Sequence, residues 1–370
     1  MLKSYFGASD ILPMWVADMD FETPDFIMEA IKKRLEHPVL AYFKKPDSFY
    51  DSVVNWCKNR YNWEIEKDWI VPTPGVVPAL TFATLALTNL ADKIVVQSPV
   101  YFPFFNTVTD NGRQLINNPL KVVNNTYSFD FEHLESVIDN RTKMMLLCSP
   151  HNPVGRVWTK DELTELSNIC LKNNILIVSD EIHADLIMPG YRHIPIASLS
   201  DSIAQNSITT IAASKTFNVS GLSTAITIIP NKNIRQRFVQ KISDLHLNMG
   251  NIFGFVATEA AYNFGANWLD ALNPYLHENF ILLKSYIEQN IPELSVTNLE
   301  ATYLVWINCK KLNMNDKELR TFFIEKAKLA VNSGIMFGDG GQGFIRINIG
   351  CPKQTLITGL EQLKKAITNL

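Results

Sequence analysis

Short runs of apolar and β-branched residues recur along the middle of the chain, and each is closed by proline or polar residues. They occupy residues 93–102, 143–153, 174–183, 207–215 and 223–230. Their apolar positions are continuous, whereas a strand with one face in water alternates apolar and polar residues. The pattern therefore predicts strands that are covered on both faces, as in a mainly parallel sheet.

A helical pattern fills the interval between two of these runs, at residues 158–174. Thr159 and Glu162 have the spacing of a capping box, and Leu163 and Leu166 then fall on one helical face. A helix between two buried strands is the crossover of a βαβ unit. We therefore expect an α/β fold with three layers, in which helices cover both faces of a mainly parallel sheet.

The pattern changes in the C-terminal part of the chain. It predicts a strand at 301–310, a helix at 315–330 that Asn315 could cap, a strand at 343–352 and a final helix after Pro352. Such a mixture is typical of a smaller α+β unit.

A chain of 370 residues is too long for a single hydrophobic core. We expect a large domain at 41–275 and a small C-terminal domain at 276–370. The N-terminal segment 1–40 is assigned to the small domain.

Composition and charge narrow the classes of function. Apolar residues make up 46% of the chain and charged residues 19%, and 34 basic against 37 acidic residues give a net charge of −3. This balance provides no basic field for nucleic acid. No apolar stretch approaches the ~18 residues of a membrane span, and the N-terminus has no hydrophobic signal core. We expect no nucleic-acid or membrane partner.

Five cysteines are scattered along the chain and none forms a C-x-x-C pair. This spacing favours neither a disulfide framework nor a metal site, and it is typical of a reducing cytoplasm.

Polar residues follow several of the predicted strands at the point where each ends. They are Tyr101, Asn152, Asp180 with His183, and Ser214 with Lys215. In a doubly wound sheet, ligands bind beyond the carboxyl ends of the strands. Each residue alone has an ordinary structural explanation, but their coincidence indicates one site.

The stretch "TPGVVPAL" at 73–80 opens a further helical segment. A helix start presents unpaired N–H groups that suit a phosphate, and Gly75 permits close approach of the backbone. An ordinary Pro-Gly helix start remains an alternative for this stretch.

A set of motifs gives the site a more specific interpretation. They are "SPHNPVG" (149–155), "SDEIH" (179–183), "SKTFN" (214–218), "FIRIN" (344–348), "LPMWVADMDF" (12–21) and "RINIGCP" (346–352). Together they resemble the fold-type I aminotransferase superfamily, whose cofactor is pyridoxal 5′-phosphate (PLP). The last two resemble its branch of MalY/PatB cystathionine β-lyases and related C–S lyases.

The resemblance implies roles for the residues around the cofactor ring. Lys215 matches the lysine that binds PLP covalently, and Asp180 matches the aspartate that faces the pyridine nitrogen. Asn152 and His183 match positions near the phenolate oxygen, and Tyr101 matches the aromatic residue stacked on the ring. A core tyrosine at 101 and a core histidine at 183 remain alternatives.

The cofactor phosphate is expected to bind the backbone N–H groups of Val76 and Val77 and the hydroxyl of Ser214. Many aminotransferases place an arginine eight residues after the lysine, and this chain has Ser223 there. The C–S lyase branch commonly lacks that arginine, so the difference favours this branch.

The resemblance also assigns the substrate site and a partner. Arg346 matches the arginine that binds the substrate α-carboxylate in a bidentate pair, and Ala17 would contribute its backbone. Tyr42 resembles a tyrosine that crosses a dimer interface to the cofactor phosphate, which implies a homodimer with shared sites. Relatives usually carry a further short segment before "FGASDILPMW" (6–15), which is absent or shortened here.

The function implied is α,β-elimination on cystathionine- or cysteine-type amino acids, giving a thiol, pyruvate and ammonia. An aminotransferase is the alternative, because it uses the same residues and returns the proton to the cofactor instead of expelling a group. A PLP-bound regulatory protein with weak turnover is a more remote alternative.

Overall fold

The structure is a computed structural model, and it describes residues 1–123 and 125–370. The strands are β1 (Leu12–Pro13), β2 (Ile70–Thr73), β3 (Lys93–Val96), β4 (Gln114–Asn117), β5 (Lys121–Val123), β6 (Thr126–Ser128), β7 (Thr142–Cys148), β8 (Leu176–Asp180), β9 (Ser207–Ile211), β10 (Ala225–Ile228), β11 (Ser295–Val296), β12 (Leu304–Asn308), β13 (Leu329–Ala330), β14 (Asn332–Ser333) and β15 (Phe344–Asn348). The α-helices are α1 (Leu2–Phe6), α2 (Asp25–Leu35), α3 (Asp47–Tyr61), α4 (Val76–Leu87), α5 (Pro103–Thr109), α6 (Phe131–Val137), α7 (Lys160–Lys172), α8 (Asp201–Gln205), α9 (Ala213–Thr216), α10 (Lys232–Asp244), α11 (Ile252–Phe264), α12 (Ala266–Asn290), α13 (Asp316–Thr321) and α14 (Lys353–Thr368).

The large sheet has the strand order β2-β10-β9-β8-β7-β3-β4. Strands β4, β3, β7, β8 and β9 pair in parallel, whereas β10 lies antiparallel to both β9 and β2. The prediction of a mainly parallel sheet is confirmed. The parallel strands all end at the same edge, which places the residues that follow them side by side.

Each central strand buries residues on both faces of the sheet. In β7, Met144 and Leu146 pack in one cluster with Phe82 of α4, while Met145 and Leu147 pack in another with Leu163 of α7. Because helices cover both faces of the sheet, successive residues of each central strand are buried, and this explains the continuous apolar runs in the sequence. This arrangement confirms the three-layer α/β fold.

Helix α7 begins at the predicted capping box. The backbone N–H of Glu162 donates to Oγ1 of Thr159 at 3.2 Å, and the N–H of Thr159 donates to Oε2 of Glu162 at 2.8 Å. Asn315 and Glu318 form a second capping box at the start of α13, as the sequence indicated for Asn315.

The helix predicted at 315–330 is shorter than expected. Helix α13 ends at Thr321, a π-helical turn covers Phe322–Lys326, and Leu329–Ala330 form β13 beside β1. Lys328 adopts a left-handed conformation with φ 55°, which stops the helix, and its carbonyl accepts from the N–H of Leu12 at 2.8 Å. Pairing with a distant segment thus replaces the last helical turn.

The C-terminal strands form an antiparallel sheet with the order β11-β12-β15-β14. It lies within the predicted small domain, and the large sheet lies within 41–275. Strand β1 of the N-terminal segment pairs with β13. The boundary at residue 275 falls inside α12, and the division at 40 and 275 stays a prediction.

In the described part of the chain, no helix combines the length and apolar character that crossing a lipid bilayer requires.

Candidate active site

A cavity of about 240 Å³ lies beyond the carboxyl ends of β7, β8 and β9. Asp180 is the last residue of β8, Asn152 follows β7, and Lys215 lies in the short helix α9 that follows β9. Of the predicted site residues, those that line this cavity are Ala17, Val76, Val77, Tyr101, Asn152, Asp180, His183, Ser214 and Lys215. The topology therefore brings together residues that are far apart in the sequence.

Lys215 is held at one wall of the cavity by oxygen atoms. Its Nζ donates to the carbonyl of Ala17 at 2.6 Å and lies 3.4 Å from both Oδ1 of Asp18 and Oγ of Ser220. Burial lowers the pKa of Lys215, although the charge of Asp18 and its hydrogen bond act in the opposite direction. The lowered pKa makes the neutral amine, the form that can act as a nucleophile or base, easier to reach than in water.

Asp180 is a buried carboxylate with few partners. One of its oxygens accepts from the N–H of Ile182 at 3.1 Å. Burial raises its pKa to about 7, although that hydrogen bond acts in the opposite direction. A cation beside Asp180 would offset the cost of burying its charge.

His183 also faces the cavity and is held neutral. Burial lowers its pKa to about 3, with smaller contributions from Lys215 and Arg346. Its Nδ1 is buried and has no hydrogen-bond partner among the described residues. Such an orphaned atom indicates a place for a ligand or water.

Arg346 lies on β15 in a buried polar cluster behind Asn152. Its guanidinium donates to Oδ1 of Asn152 at 3.0 Å, to Oδ1 of Asn332 at 2.6 Å and to the carbonyl of Trp15 at 2.9 Å. Burial lowers its pKa to about 10. Its Nε is buried without a partner in the described residues, and no carboxylate neutralises the group there. A buried cation with neutral partners suits an anionic ligand.

The N-terminus of α4 forms another wall of the cavity. Gly75 precedes the helix, and no side chain caps it. Val76 and Val77 stand in the first turn, where backbone N–H groups have no intrahelical acceptor. Ser214, Ser223 and Thr224 line the same cavity, and a wall of backbone amides and hydroxyls is chemically suited to an anion.

Tyr42 does not line this cavity. Its side chain is 88% exposed, in the segment between α2 and α3. Within one chain it is therefore separated from the other predicted residues.

Some residues of the site have no role in the sequence prediction. The hydroxyl of Tyr303 donates to the carbonyl of Ala17 at 2.8 Å, beside the bond from Lys215. Asp18 follows Ala17 directly in the sequence. Because the backbone of Ala17 was predicted to lie at the substrate site, the adjacent carboxyl group of Asp18 could have been predicted to lie there too. Asn332 gave none, because it reaches Arg346 only through the pairing of β14 with β15.

Comparisons with known proteins agree with this geometry. The sequence model of the family described as aminotransferase class I and II matches residues 9–363. Cystathionine beta-lyase PatB of Bacillus subtilis (strain 168) is 40% identical over 364 residues, covering 98% of this chain and 94% of PatB. Protein MalY of Escherichia coli (strain K12) is 32% identical over 365 residues, covering 98% of this chain and 93% of MalY.

A solved structure adds the same relationship at the level of the fold. Cystalysin from Treponema denticola, whose crystal structure contains a pyridoxal 5′-phosphate cofactor, matches with a TM-score of 0.95 and 39% identity. The match covers 98% of this chain and 92% of that chain. The resemblance predicted from the motifs is confirmed, and the chain belongs to the aminotransferase class I and II family.

Proposed function

We propose that this protein is a PLP-dependent C–S lyase that acts on cystathionine- or cysteine-type amino acids. The products would be a thiol, pyruvate and ammonia. The observation that carries the proposal is the single cavity into which Lys215 and Asp180 both open, with the start of α4 at its wall. Full-length similarity to PatB supports the lyase over the aminotransferase.

The residues of the cavity fit the cofactor. The uncapped first turn of α4 and Ser214 suit its phosphate, with Val76 and Val77 as amide donors. Asp180 suits a protonated ring nitrogen, because a neighbouring cation would offset the free-energy cost of burying its negative charge. The orphaned Nδ1 of His183 and the side chain of Asn152 suit the phenolate oxygen.

When bound, PLP withdraws electrons from the Cα of an attached amino acid. Lys215 would hold the cofactor and then, as a neutral amine, remove the Cα proton. Asp180 would supply the negative charge that favours a protonated ring nitrogen. Tyr101, whose phenol pKa is raised by burial, would lie against the ring as an uncharged aromatic side chain.

Arg346 would hold the substrate carboxylate. Its guanidinium is already oriented by Asn152, Asn332 and Trp15, so binding requires little reordering of the side chain. The backbone of Ala17 lies beside Lys215 and would border the same carboxylate.

We also propose a homodimer in which Tyr42 reaches the phosphate site of the partner subunit. Tyr42 lies in a segment that has exposed apolar side chains. A 3.2 Å hydrogen bond from Nζ of Lys45 to the carbonyl of Asn248 joins this segment to a second one that also has exposed apolar side chains. The apolar residues concerned are Leu35, Val39, Leu40, Tyr42, Leu245, Leu247 and Met249. Exposed apolar side chains that cluster into a patch are typical of an interface, which is why we propose that these segments meet the partner subunit.

A cytoplasmic location is part of the proposal. All five cysteines are buried thiols, which suits a reducing compartment.

Purified protein incubated with cystathionine and PLP, without a keto acid, tests the function. A C–S lyase releases pyruvate at a steady rate under these conditions. If amino-group transfer occurs only after a keto acid is added, the protein is an aminotransferase. If neither reaction occurs and the protein instead binds a regulatory partner, the enzymatic proposal is wrong.

A further inference from the structure

The hydroxyl of Ser220 and the carboxylate of Asp18 lie next to the amine of Lys215. Oγ of Ser220 donates to Oδ1 of Asp18 at 2.9 Å, and both atoms lie 3.4 Å from Nζ of Lys215. The side chain of Asp18 is 48% exposed, whereas that of Lys215 is 20% exposed. These three groups therefore form a continuous path from a half-buried amine to a more exposed carboxylate.

Asp18 stands between two cavities. Lys215 and Ser220 line the cavity described above, and Asp18 lines a second cavity of about 310 Å³ together with Trp15 and Val16. A proton that leaves Lys215 through Ser220 and Asp18 would therefore reach a group that lines a different cavity from Lys215.

The segment that carries Asp18 is fixed from two sides. Nδ2 of Asn348 donates to the carbonyls of Val16 and Asp18 at 2.5 and 2.6 Å. On the other side, Asn218 accepts from the N–H of Met19 at 3.0 Å and donates to its carbonyl at 2.8 Å. These hydrogen bonds to the backbone of residues 16–19 fix the segment that places the Asp18 carboxylate beside Lys215.

We propose that Asp18 and Ser220 form a proton relay between Lys215 and solvent. The proposal rests on the function above, in which Lys215 removes the Cα proton. The Cα–H bond breaks, its electron pair stays with the substrate, and an N–H bond forms at Nζ. The resulting ammonium gives a proton to the Ser220 hydroxyl, whose own proton passes to the Asp18 carboxylate and on to water. One proton is moved, and Lys215 returns to its neutral form.

Other ionisable groups also face Lys215, and they do not provide the same path. Asp180 and His183 lie inside the cavity, and Arg346 and Tyr303 are buried. Arg346 and His183 cannot accept a proton here, because the first is already charged and the second has its pKa lowered to about 3. Asp180 is reserved for the cofactor ring in the proposed function.

Exchange of the Cα hydrogen of L-alanine in D₂O tests the relay, because alanine has no group that can be eliminated. In D₂O the neutral amine of Lys215 carries two deuterons, so the ammonium that forms holds the abstracted hydrogen beside them. Wild-type holoenzyme should exchange the Cα hydrogen fully, since the relay removes it from Lys215 before a deuteron is returned. In Asp18→Asn about one return in three should restore the original hydrogen, so exchange should fall by about a third. Asp20→Asn is the matched control in the same segment and should exchange at the wild-type rate.

A second readout does not depend on turnover. Acetylation of Lys215 in the cofactor-free full chain, followed against pH by peptide mass spectrometry, reports the pKa of this lysine. Asp18→Asn should lower that pKa, and Asp20→Asn should leave it unchanged. Ser220→Ala should also slow exchange, while Ser220→Thr, which keeps a hydroxyl, should restore it.

Wild-type exchange in both Asp18→Asn and Ser220→Ala would overturn the relay, even if the pKa of Lys215 changes in Asp18→Asn. If Asp18→Asn does not fold, the Ser220→Ala and Ser220→Thr pair decides. The relay can be judged even if cystathionine yields no pyruvate, because the alanine measurement requires only proton removal by Lys215.

Discussion

At the scale of single residues, the site moves the pKa values of three ionisable groups away from their values in water. Burial raises the pKa of Asp180 to about 7, lowers that of His183 to about 3 and lowers that of Lys215. The lowered pKa of Lys215 agrees with its proposed role, since the lysine must be neutral to react. The raised pKa of Asp180 agrees with a role in which its carboxylate pairs with a cation. The hydrogen bond from Ile182 and the charge of Lys215 offset part of the cost of burying Asp180, and a cationic cofactor ring would offset more of it.

The first prediction concerns the stability of the cofactor-free protein. Asp180 binds a proton more tightly in the folded state than in the unfolded state, so its contribution to stability falls as pH rises from about 4 to 7. Above that range the loss reaches at most about 4 kcal/mol. Asp180→Asn should therefore gain stability relative to wild type at pH 8 but not at pH 4, measured by urea unfolding.

His151 and His183 have lowered pKa values and make both proteins less stable in acid, so only the difference between the two proteins isolates Asp180. With PLP bound, the order at pH 8 should reverse, because the neutral amide of the Asp180→Asn variant cannot pair with a ring cation. A difference between wild type and variant that does not change with pH would contradict the assigned pKa of Asp180.

The sequence allowed candidate roles to be assigned to residues whose neighbours in the chain form a motif. Lys215, Asp180 and Asn152 all line the cavity, and Arg346 contacts Asn152. Tyr303 and Asn332 were not predicted, because each acts through contacts with a segment far away in the chain. No local pattern distinguishes them from core residues.

At the scale of elements, the start of α4 is the feature that a designed variant can test best. Val76→Pro removes one N–H from the first helical turn, and proline is well tolerated at this position after an extended residue such as Gly75. A lost charge-assisted hydrogen bond costs about 1.5–3 kcal/mol. We expect the dissociation constant for PLP to rise about tenfold or more.

Val76→Ala is the matched control for this variant. It loses a similar buried side chain and keeps the N–H, so its affinity for PLP should stay close to that of wild type. Equal affinity of the proline and alanine variants, measured by fluorescence titration, would mean that this amide does not bind the phosphate.

Elements were predictable where their signals are local. The capping box of Thr159 and Glu162 forms as expected, and Asn315 caps its helix as expected, in a capping box with Glu318 that was not predicted. The end of the helix after Asn315 was predicted too late, because β13 pairs with β1, which lies more than 300 residues earlier in the chain. Such pairing overrides a helical pattern that is otherwise continuous.

At the scale of the whole molecule, the proposed shared site predicts complementation between two defective proteins. Tyr42→Ala should weaken the site of the partner subunit, and Lys215→Ala should abolish reaction in its own subunit. A mixed dimer then contains one site with both an intact lysine and an intact tyrosine. Dissociated and reassociated mixtures should recover roughly a quarter of wild-type pyruvate formation, since about half of the dimers are mixed.

Sedimentation of the same samples provides the control, because wild type and both variants should have twice the chain mass of 41.9 kDa. If Tyr42→Ala keeps full activity, or if the mixture is no more active than its components, Tyr42 does not act across the interface.

The most direct measurement is to reduce the purified holoenzyme with borohydride and locate the bound cofactor by peptide mass spectrometry. The account predicts that the cofactor is attached to the peptide that contains Lys215, and that Lys215→Ala carries none. Attachment to a different lysine, or no attachment in wild-type protein saturated with PLP, would contradict it.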